Sequence, residues 1–290
     1  MSRIGSACQG LVLALAMIGG GTASAQPLEW PPIGEPSTAS RTSGRWLWAD
    51  LVSTDVARSR DFYAKVFGWN YRASLDENGK PGYLTILANG RPIGGMVAPR
   101  TDAAVAGARW IGLVSGDPKT MAARAQERGG AVVMAPRMLQ GRGELAVLSD
   151  PDGARFAVIR TERGDPADHV GRDNEWLWAE LWSGDPGRAA NFYRDVFGFA
   201  VSAADGKTAS GYLLSAGGRA RAGVMRSPDA ALPPVWIPYV RVSDVAATVT
   251  RALAGGARVV VEPRPHYKSQ VAVLVDPLGA PFAVANWRPE

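Results

Sequence analysis

The sequence predicts an α+β protein of four βαβββ units, paired into two domains with curved mixed sheets and helices on their outer faces. The main observation is an internal repeat. The stretch Trp46–Trp69 recurs as Trp176–Phe199, with 13 of 24 positions identical at a constant offset of 130. A repeat of this length indicates a duplicated structural unit. Within each half, a strand-like segment precedes one with helical spacing, and further short strand-like segments follow.

The first unit shows this order most clearly. Trp46–Ser53 alternates large residues with others, which predicts a strand. Asp55 stands where a helix N-cap belongs, and Gly68 can supply the positive φ that ends the helix between them, Val56–Phe67. The remaining predicted strands are Trp69–Ala73, Tyr83–Ala88 and Pro92–Val97.

The second unit repeats the order of the first. A helix is predicted from Pro118 to Arg128, and its predicted strands are Trp110–Ser115, Ala131–Met134, Glu144–Leu148 and Arg155–Ile159. The second half of the chain contains matching stretches, such as "AVLVDPLGAPFAVAN" for "AVLSDPDGARFAVIR". The same two units are therefore expected there.

The repeat and the composition of the remaining segments divide the chain into five parts. We expect a signal peptide at 1–25, a Pro/Ser-rich lead at 26–43, domain 1 at 44–161, a linker at 162–173 and domain 2 at 174–290. The lead should be extended or loose, as Pro/Ser-rich terminal segments commonly are.

The signal peptide prediction rests on the layout of the first residues. Arg3 precedes an apolar run, Leu11–Ile18, and small residues lead to a cleavage site after Ala25. That run is too short to span a bilayer core of about 30 Å, so we predict export to the periplasm or the medium and no membrane span. Cys8 is the only cysteine, so the mature chain would have neither a disulfide nor a thiolate metal site.

The charge pattern argues against nucleic acid as a partner. The chain has a formal net charge of +5 and a pI near 9.5, but its basic residues are scattered and do not form one patch. We expect a small organic molecule as the partner. The sequence leaves open whether the chain also forms a homo-oligomer.

Several motifs, in the same order in both halves, resemble those of the vicinal oxygen chelate superfamily, which includes glyoxalases, bleomycin resistance proteins and ring-cleaving dioxygenases. The motifs are "FYAKVFGW" and "FYRDVFGF", "PIGGM", and "DPDGARFAV" and "DPLGAPFAV". The resemblance covers nearly all of the chain from Gly44 to Pro289 and is closest to members with two domains in tandem. It implies that two βαβββ units pack side by side and form a cleft for a ligand and a metal.

The resemblance also identifies the positions of the metal ligands in metal-using members, and this chain lacks donors there. In the first strand of each domain the position falls on Trp48 and Trp178. In the second unit it falls on Trp110, and on Trp236 or its neighbour Ile237. The glutamate of the final strand is replaced by alanine, at Ala157 and Ala283.

The histidine count supports the same conclusion. Metal sites of this kind need several imidazole or carboxylate donors, and the chain has two histidines. His169 lies in the linker, and His266 lies in the loop "PRPHYKSQ" of domain 2. We therefore predict no cofactor, although a divalent metal on an unconventional donor set stays open.

Strand alternation puts Trp46, Trp48 and Asp50 on one face of the first strand, and the resemblance makes that face the cleft. An aromatic wall with a carboxylate suits a planar or cationic organic ligand. The same side chains could instead fill the cleft as core, with Asp50 paired to an arginine such as Arg155. The candidate ligand-binding residues are Trp48, Asp50, Trp110, Arg155, Trp178, Glu180, Trp236 and His266.

Three functional hypotheses follow. The first is an exported, metal-independent small-molecule binder. The second is an enzyme of glyoxalase, lyase, isomerase or dioxygenase type, with a non-standard or absent metal and Asp50 or Glu180 as a general base. The third is that one domain is a scaffold that supports the other.

Overall fold

The structure is a computed structural model, which describes residues 28, 30–34, 37–76, 78–99, 107–204, 211–228, 232–266 and 269–288. The predicted signal peptide, with Cys8, lies outside the described residues. No helix in these ranges combines the length and the apolar character that crossing a lipid bilayer requires.

The first half of the chain forms eight strands and two helices. In chain order they are β1 (Trp46–Ser53), α1 (Val56–Phe67), β2 (Asn70–Leu75), β3 (Pro81–Ala88), β4 (Arg91–Val97), β5 (Ala108–Ser115), α2 (Pro118–Glu127), β6 (Ala131–Leu139), β7 (Gly143–Ser149) and β8 (Arg155–Thr161).

The second half repeats this order. Its elements are β9 (Trp176–Ser183), α3 (Pro186–Phe197), β10 (Ala200–Ala203), β11 (Gly211–Ala216), β12 (Arg219–Arg226), β13 (Val235–Arg241), α4 (Val245–Ala254), β14 (Arg258–His266), β15 (Ser269–Val275) and β16 (Pro281–Ala285).

Each half forms one eight-stranded mixed sheet. The strand orders are β2-β3-β4-β1-β5-β8-β7-β6 and β10-β11-β12-β9-β13-β16-β15-β14. The first strands of the two units, β1 and β5, pair antiparallel at the centre of the first sheet, and β9 and β13 do so in the second. The fold class is therefore confirmed: four βαβββ units pair into two α+β domains.

The helix signals in the first unit act as the sequence predicts. The side chain of Asp55 accepts a hydrogen bond from the backbone N–H of Arg58 at 2.9 Å, so Asp55 is the N-cap of α1. Gly68 ends the helix in the left-handed region, with φ of 70°, where a side chain would be strained. The bounds of α1 agree with the prediction because both end signals are local.

The helices cover one face of each sheet, and on this face the two domains meet. Two reciprocal hydrogen bonds join the repeated motifs across the interface. Tyr63 of α1 donates to the carboxylate of Asp276 in domain 2 at 3.1 Å, and Tyr193 of α3 donates to Asp150 in domain 1 at 3.2 Å. We call this the helix face of each sheet and the opposite face the cleft face.

Tryptophans extend the same reciprocal packing. Trp46 of domain 1 lies 6.0 Å from Trp236 of domain 2, and Trp176 of domain 2 lies 5.2 Å from Trp110 of domain 1, between ring centroids. The helix-face cores therefore contain residues of both domains. A shared core of this kind couples the folding of the two halves.

The lead and the linker hold each other in place. The backbone N–H of Thr38 donates to the carbonyl of Asp165 at 2.9 Å, and the N–H of Asp165 donates to the carbonyl of Ser40 at 2.7 Å. The carboxylate of Asp165 is fully buried and accepts hydrogen bonds from Thr42 and Ser115. Of the two alternatives predicted for the lead, extended or loose, the part at 38–42 is not loose, because the linker holds it through these hydrogen bonds.

Candidate ligand-binding clefts

A β-bulge decides which tryptophan of β1 faces the cleft. The pairing of β1 with β5 shifts between Trp46 and Trp48, so that Leu47 is the extra residue. Trp46 consequently packs on the helix face, whereas Trp48 packs on the cleft face. The sequence prediction, which put both tryptophans on one face, is corrected for Trp46, because strict alternation does not hold across a bulge. In β9 the pairing shifts in the same way, between Trp176 and Trp178.

In domain 1 the cleft face holds a closed polar cluster, which we call cleft 1. The carboxylate of Asp50 accepts hydrogen bonds from the indole N–H of Trp48 at 2.8 Å and from the hydroxyl of Tyr83. Its other oxygen receives the guanidinium of Arg142 at 2.8 Å. The side chain of Arg142 is fully buried. The arginine that pairs with Asp50 is thus Arg142 and not Arg155.

The lead closes cleft 1 from the solvent side. Trp30 lies edge-on to Tyr83, with ring centroids 5.1 Å apart, and the Arg142 guanidinium lies 5.1 Å from the Trp30 ring centroid. The carbonyl of Pro31 accepts a hydrogen bond from Arg142, and Ile33 is buried in the same cluster as Trp48. Cleft 1 is therefore filled by residues of its own chain.

The corresponding face of domain 2, which we call cleft 2, is built differently. Glu180 is buried, and its carboxylate accepts hydrogen bonds from the hydroxyl of Tyr239 and the indole of Trp182. Burial raises the pKa of Glu180, although both hydrogen bonds and the nearby charge of Arg264 act in the opposite direction. Within the described residues Glu180 makes no ion pair. The carboxyl group of Glu180 in cleft 2 therefore keeps its proton to a higher pH than an ordinary glutamate does.

A one-residue difference in register explains why the two clefts differ. Gly95 pairs with Asp50, and Gly223 pairs with Glu180, so these two glycines are equivalent. A Cβ at Gly95 would lie 1.8 Å from the Tyr83 hydroxyl, whereas a Cβ at Gly223 would lie 3.4 Å from Glu180 Cγ. The tyrosine of cleft 1 therefore approaches its glycine closely, and cleft 2 has no tyrosine there.

The sequence repeat nevertheless aligns Tyr83 with Tyr212. In the sheets, Tyr83 occupies the place of Gly211, because Thr85 pairs with Gly95 and Leu213 pairs with Gly223. Tyr212 packs on the helix face instead. A slip of one residue moves a side chain to the other face of a strand.

Trp178 provides the open aromatic surface of cleft 2. Its side chain packs against the cleft-face cluster of domain 2 but is only half-buried, whereas Trp48 is 1% exposed. Trp178 and Glu180 are adjacent on the cleft face of β9, since both lie within 4 Å of a Cβ built at Gly223. Two of the four candidates predicted in domain 2 therefore lie side by side.

Two of the predicted site residues lie elsewhere. Trp110 and Trp236 are buried on the helix face, and their indole N–H groups donate to Tyr63 and Tyr193, each at 2.9 Å. The prediction for β5 is one residue out of register, because the cleft-face position falls on Ile111, and of the two alternatives predicted for β13 the cleft-face residue is Ile237 and not Trp236. Both tryptophans are core residues.

The last two predicted residues lie at the margins. Arg155 begins β8 on the same face as Ala157, and its charge acts on Arg109. His266 is half-buried and is the last residue of β14, paired with Ser269, rather than part of a loop. Burial, followed by the charge of Arg264, lowers the pKa of His266.

Neither cleft offers the donors that a divalent metal needs. Among the described residues each cleft has one carboxylate, and that of Asp50 is already neutralised by Arg142. Ala157 and Ala283 add only methyl groups on the cleft faces. Throughout the part of the chain that the structure describes, no three His, Cys, Asp or Glu side chains are grouped so that they could hold a metal ion. A divalent metal bound by imidazole and carboxylate groups needs two or more such donors, so the described residues do not fit one.

The sequence prediction did not include five residues that shape the clefts: Trp30, Tyr83, Arg142, Trp182 and Tyr239. Trp182 continues the alternation of Trp178 and Glu180, so extending that alternation by two residues along β9 indicates it as a cleft-face residue. Arg142 lies in the turn between β6 and β7, where no periodicity indicates a face.

Comparison with known proteins agrees with this architecture. Residues 45–158 match the model of the glyoxalase/bleomycin resistance protein/dioxygenase superfamily, and residues 179–285 match the glyoxalase-like domain model. The chain is 32% identical over 259 residues to the anthracycline biosynthesis protein DauV of Streptomyces sp. (strain C5), covering 84% of this chain and 94% of DauV. It is 30% identical over 264 residues to CFP32 of Mycobacterium tuberculosis, provisionally named a glyoxylase, covering 88% and 99% of the two chains.

A solved structure shows the same fold. The Mn(II)-bound glyoxalase from Novosphingobium aromaticivorans superposes with a TM-score of 0.58 at 19% identity, over 85% of this chain and 82% of that one. Together, the two matched domains, the relatives and the paired βαβββ sheets show that this chain belongs to the glyoxalase/bleomycin resistance protein/dioxygenase (vicinal oxygen chelate) superfamily, as a member with two such domains in tandem.

Proposed function

We propose that this chain is an exported, metal-independent binder of a planar aromatic small molecule, and that it binds this molecule in cleft 2. The observation that carries the proposal is the contrast between two equivalent carboxylates. Asp50 is neutralised by Arg142, and Trp30 packs against the Arg142 guanidinium. Glu180 lies beside a half-buried Trp178 and has no ion-pair partner among the described residues. Domain 1 then serves as a scaffold.

The chemistry of cleft 2 suggests the class of ligand. The Trp178 ring offers a π surface for a flat aromatic molecule, and Glu180 offers an acceptor for a hydroxyl of that molecule. Arg264 lies close enough to act on Glu180, and its positive charge disfavours a cationic ligand. The relatives named as anthracycline biosynthesis proteins support this class, because an anthracycline contains a planar fused aromatic system that carries hydroxyl groups.

The donors in cleft 2 support the proposed metal independence. A single buried carboxyl group whose pKa is raised binds a divalent cation weakly, because the metal must compete with the proton and needs further ligands. The signal-peptide layout of residues 1–25 supports the proposed export. It predicts that the mature protein begins at Gln26, which N-terminal sequencing of the secreted chain would test.

Isothermal titration with a hydroxyanthraquinone tests the binding proposal. Trp178→Ala and Glu180→Leu should each weaken binding about tenfold or more, because the first removes the stacking surface and the second removes the acceptor. Trp48→Ala and Asp50→Asn are the matched controls in cleft 1, and among variants that stay folded they should leave binding unchanged. EDTA should have no effect. Loss of binding with the cleft 1 variants only, or dependence on an added metal, would contradict the proposal.

One observation favours a second function, that of an isomerase or lyase. The raised pKa of Glu180 and its hydrogen bond from Tyr239 are features of a group that exchanges a proton with a substrate. The two functions differ in outcome. An enzyme of this kind would incorporate deuterium from D2O into a carbon of the bound molecule, and Glu180→Gln would abolish the exchange, whereas a binder would show none.

A further inference from the structure

Arg264, on the edge strand β14, lies on the cleft face of domain 2. The pairing of β14 with β15 shifts just before this residue, and Arg264 then pairs with Val271. Val271 belongs to the cleft-face cluster of domain 2, and residues directly opposite each other in a sheet project from the same face. Arg264 therefore shares the face of Trp178 and Glu180, and it is exposed to solvent.

The charge of Arg264 reaches the interior of cleft 2. Three strands separate β14 from β9, so on a flat sheet these two strands would lie roughly 19 Å apart, at about 4.8 Å per interval. Salt screens most of the interaction between charges more than about 8–10 Å apart, yet the charge of Arg264 acts on both Glu180 and Tyr239. The curvature of the sheet and the length of the side chain therefore bring the guanidinium over the cleft. A ligand of several fused rings that lies on Trp178 can reach it.

The described residues do not supply an anion for this guanidinium. Arg264 makes no ion pair among them, although the exposed Glu262 lies on the same strand. His266 pairs with Ser269, and burial and the charge of Arg264 lower its pKa below the ordinary 6.5, so its imidazole is mostly neutral at neutral pH. The positive charge over the cleft is therefore that of Arg264.

Domain 1 contains a counterpart of this arginine at a cleft that the chain itself fills. Arg137 follows the same kind of register shift in the pairing of β6 with β7 as Arg264 does in the pairing of β14 with β15, and it is also exposed. Two residues later, Leu139 is buried in the cluster that includes the lead, whereas domain 2 has the half-buried His266 at this place. Arg137 is therefore a matched control for Arg264.

We propose that the ligand of cleft 2 is an anion, a planar hydroxylated aromatic carboxylic acid whose carboxylate binds Arg264. This inference rests on the function proposed above and narrows its class of ligand. The ring system stacks on Trp178, a hydroxyl donates to Glu180, and the carboxylate accepts charge-assisted hydrogen bonds from the guanidinium. A planar guanidinium matches the two oxygens of a carboxylate and can bind both.

The test compares two molecules that differ in one group. Rhein and aloe-emodin share a dihydroxyanthraquinone ring system, and rhein carries a carboxylate where aloe-emodin carries a neutral hydroxymethyl group. In isothermal titration of the full chain at neutral pH, rhein should bind about five- to tenfold more tightly, between the values for an exposed and a buried charged pair. This preference should shrink at high salt, because the pair lies at the solvent-exposed rim.

The outcomes separate this proposal from the function on which it rests. Equal affinity for rhein and aloe-emodin would overturn the anionic ligand, while aloe-emodin binding that is lost in Trp178→Ala would still support cleft 2 as the aromatic site. If neither molecule binds, both proposals fail.

Three variants assign the carboxylate to its partner. Arg264→Gln alters an exposed side chain, so the fold should persist; it should lower the affinity for rhein to that for aloe-emodin and leave the affinity for aloe-emodin unchanged. Arg264→Lys keeps the charge and should retain part of the preference for rhein. Arg137→Gln should change neither affinity. Rhein binding that stays unchanged in Arg264→Gln, or that falls equally in Arg137→Gln, would contradict the assignment to Arg264.

Discussion

Arg142 and Asp50 form a buried ion pair at 2.8 Å in cleft 1, and the equivalent carboxylate of cleft 2, Glu180, has no such partner among the described residues. The pair changes what each domain can do. In domain 1 the acceptor that a ligand would need is already used, and the guanidinium also holds Tyr83 and the carbonyl of Pro31. In domain 2 the donors to Glu180 within the described part of the chain are both neutral, the Tyr239 hydroxyl and the Trp182 indole.

Removing Arg142 should therefore destabilise the protein strongly. Arg142→Met should lower the free energy of unfolding by about 3–5 kcal/mol, because Asp50 would stay buried without its counter-charge. The double variant Arg142→Met with Asp50→Leu should lose less than Arg142→Met alone, since it leaves no uncompensated charge. Urea unfolding of the variants measures both effects. A double variant that is less stable than the single variant would show that the pair is not the cause.

The contact of the lead with cleft 1 gives a second prediction. Trp30→Ala should lower the free energy of unfolding by about 1–2 kcal/mol, because it removes an edge-on contact with Tyr83 and a cation–π contact with Arg142. Trp30→Phe keeps a ring and should retain most of the stability. Urea unfolding distinguishes the two variants. Equal stability of Trp30→Ala and the parent chain would mean that the lead does not stabilise domain 1.

The interface between the domains gives a third prediction. Tyr63→Phe should cost about 1–3 kcal/mol, because Asp276 and the indole of Trp110 both lose a buried partner. Tyr193→Phe should cost a similar amount for the same reason in the other half. Thermal unfolding should remain a single transition, as the helix-face cores are shared.

Tyr71→Phe is the matched control for the interface variants. The hydroxyl of Tyr71 is buried and has no hydrogen-bond partner among the residues that the structure describes. Its removal should therefore be neutral or slightly stabilising, since no partner is left unsatisfied. A loss with Tyr71→Phe as large as that with Tyr63→Phe would show that the hydrogen bonds across the interface contribute little.

The strand and helix order could be predicted from the sequence because its signals are local. Asp55 and Gly68 fix the ends of α1 through their own hydrogen bonds and backbone conformation. The face of each residue was less predictable. Trp46 and Trp48 lie on opposite faces because of one bulge at Leu47, and a bulge depends on pairing with a strand far along the chain.

The candidate site could be predicted in part for the same reason. Trp178 and Glu180 lie together as the alternation of β9 indicates. Trp110 and Trp236 do not lie in the clefts, because the face on which each lies depends on how β5 pairs with β1 and how β13 pairs with β9. The closing of cleft 1 by Trp30 and Arg142 joins residues more than a hundred positions apart, and no local pattern indicates such a contact.

The raised pKa of Glu180 predicts that the stability of the protein depends on pH. Below its ordinary value of 4.5, Glu180 is protonated in both the folded and the unfolded chain, so its contribution to stability is fully present. As the pH rises above 4.5, the unfolded chain ionises first, and the free energy of unfolding falls until the pH passes the raised pKa of the folded state. Glu180→Gln cannot ionise and should not show this part of the decline.

Thermal unfolding of the parent chain and Glu180→Gln, measured from acidic to mildly alkaline pH, tests this dependence. The two melting temperatures should lie close together in acid, and Glu180→Gln should become the more stable protein as the pH rises. Burial also raises the pKa values of Asp150 and Asp276, but both residues are present in both proteins, so the difference isolates Glu180. Melting temperatures that stay parallel across the range would mean that Glu180 ionises in the folded protein as readily as in the unfolded chain. Cleft 2 would then offer a ligand a charged carboxylate instead of a protonated one.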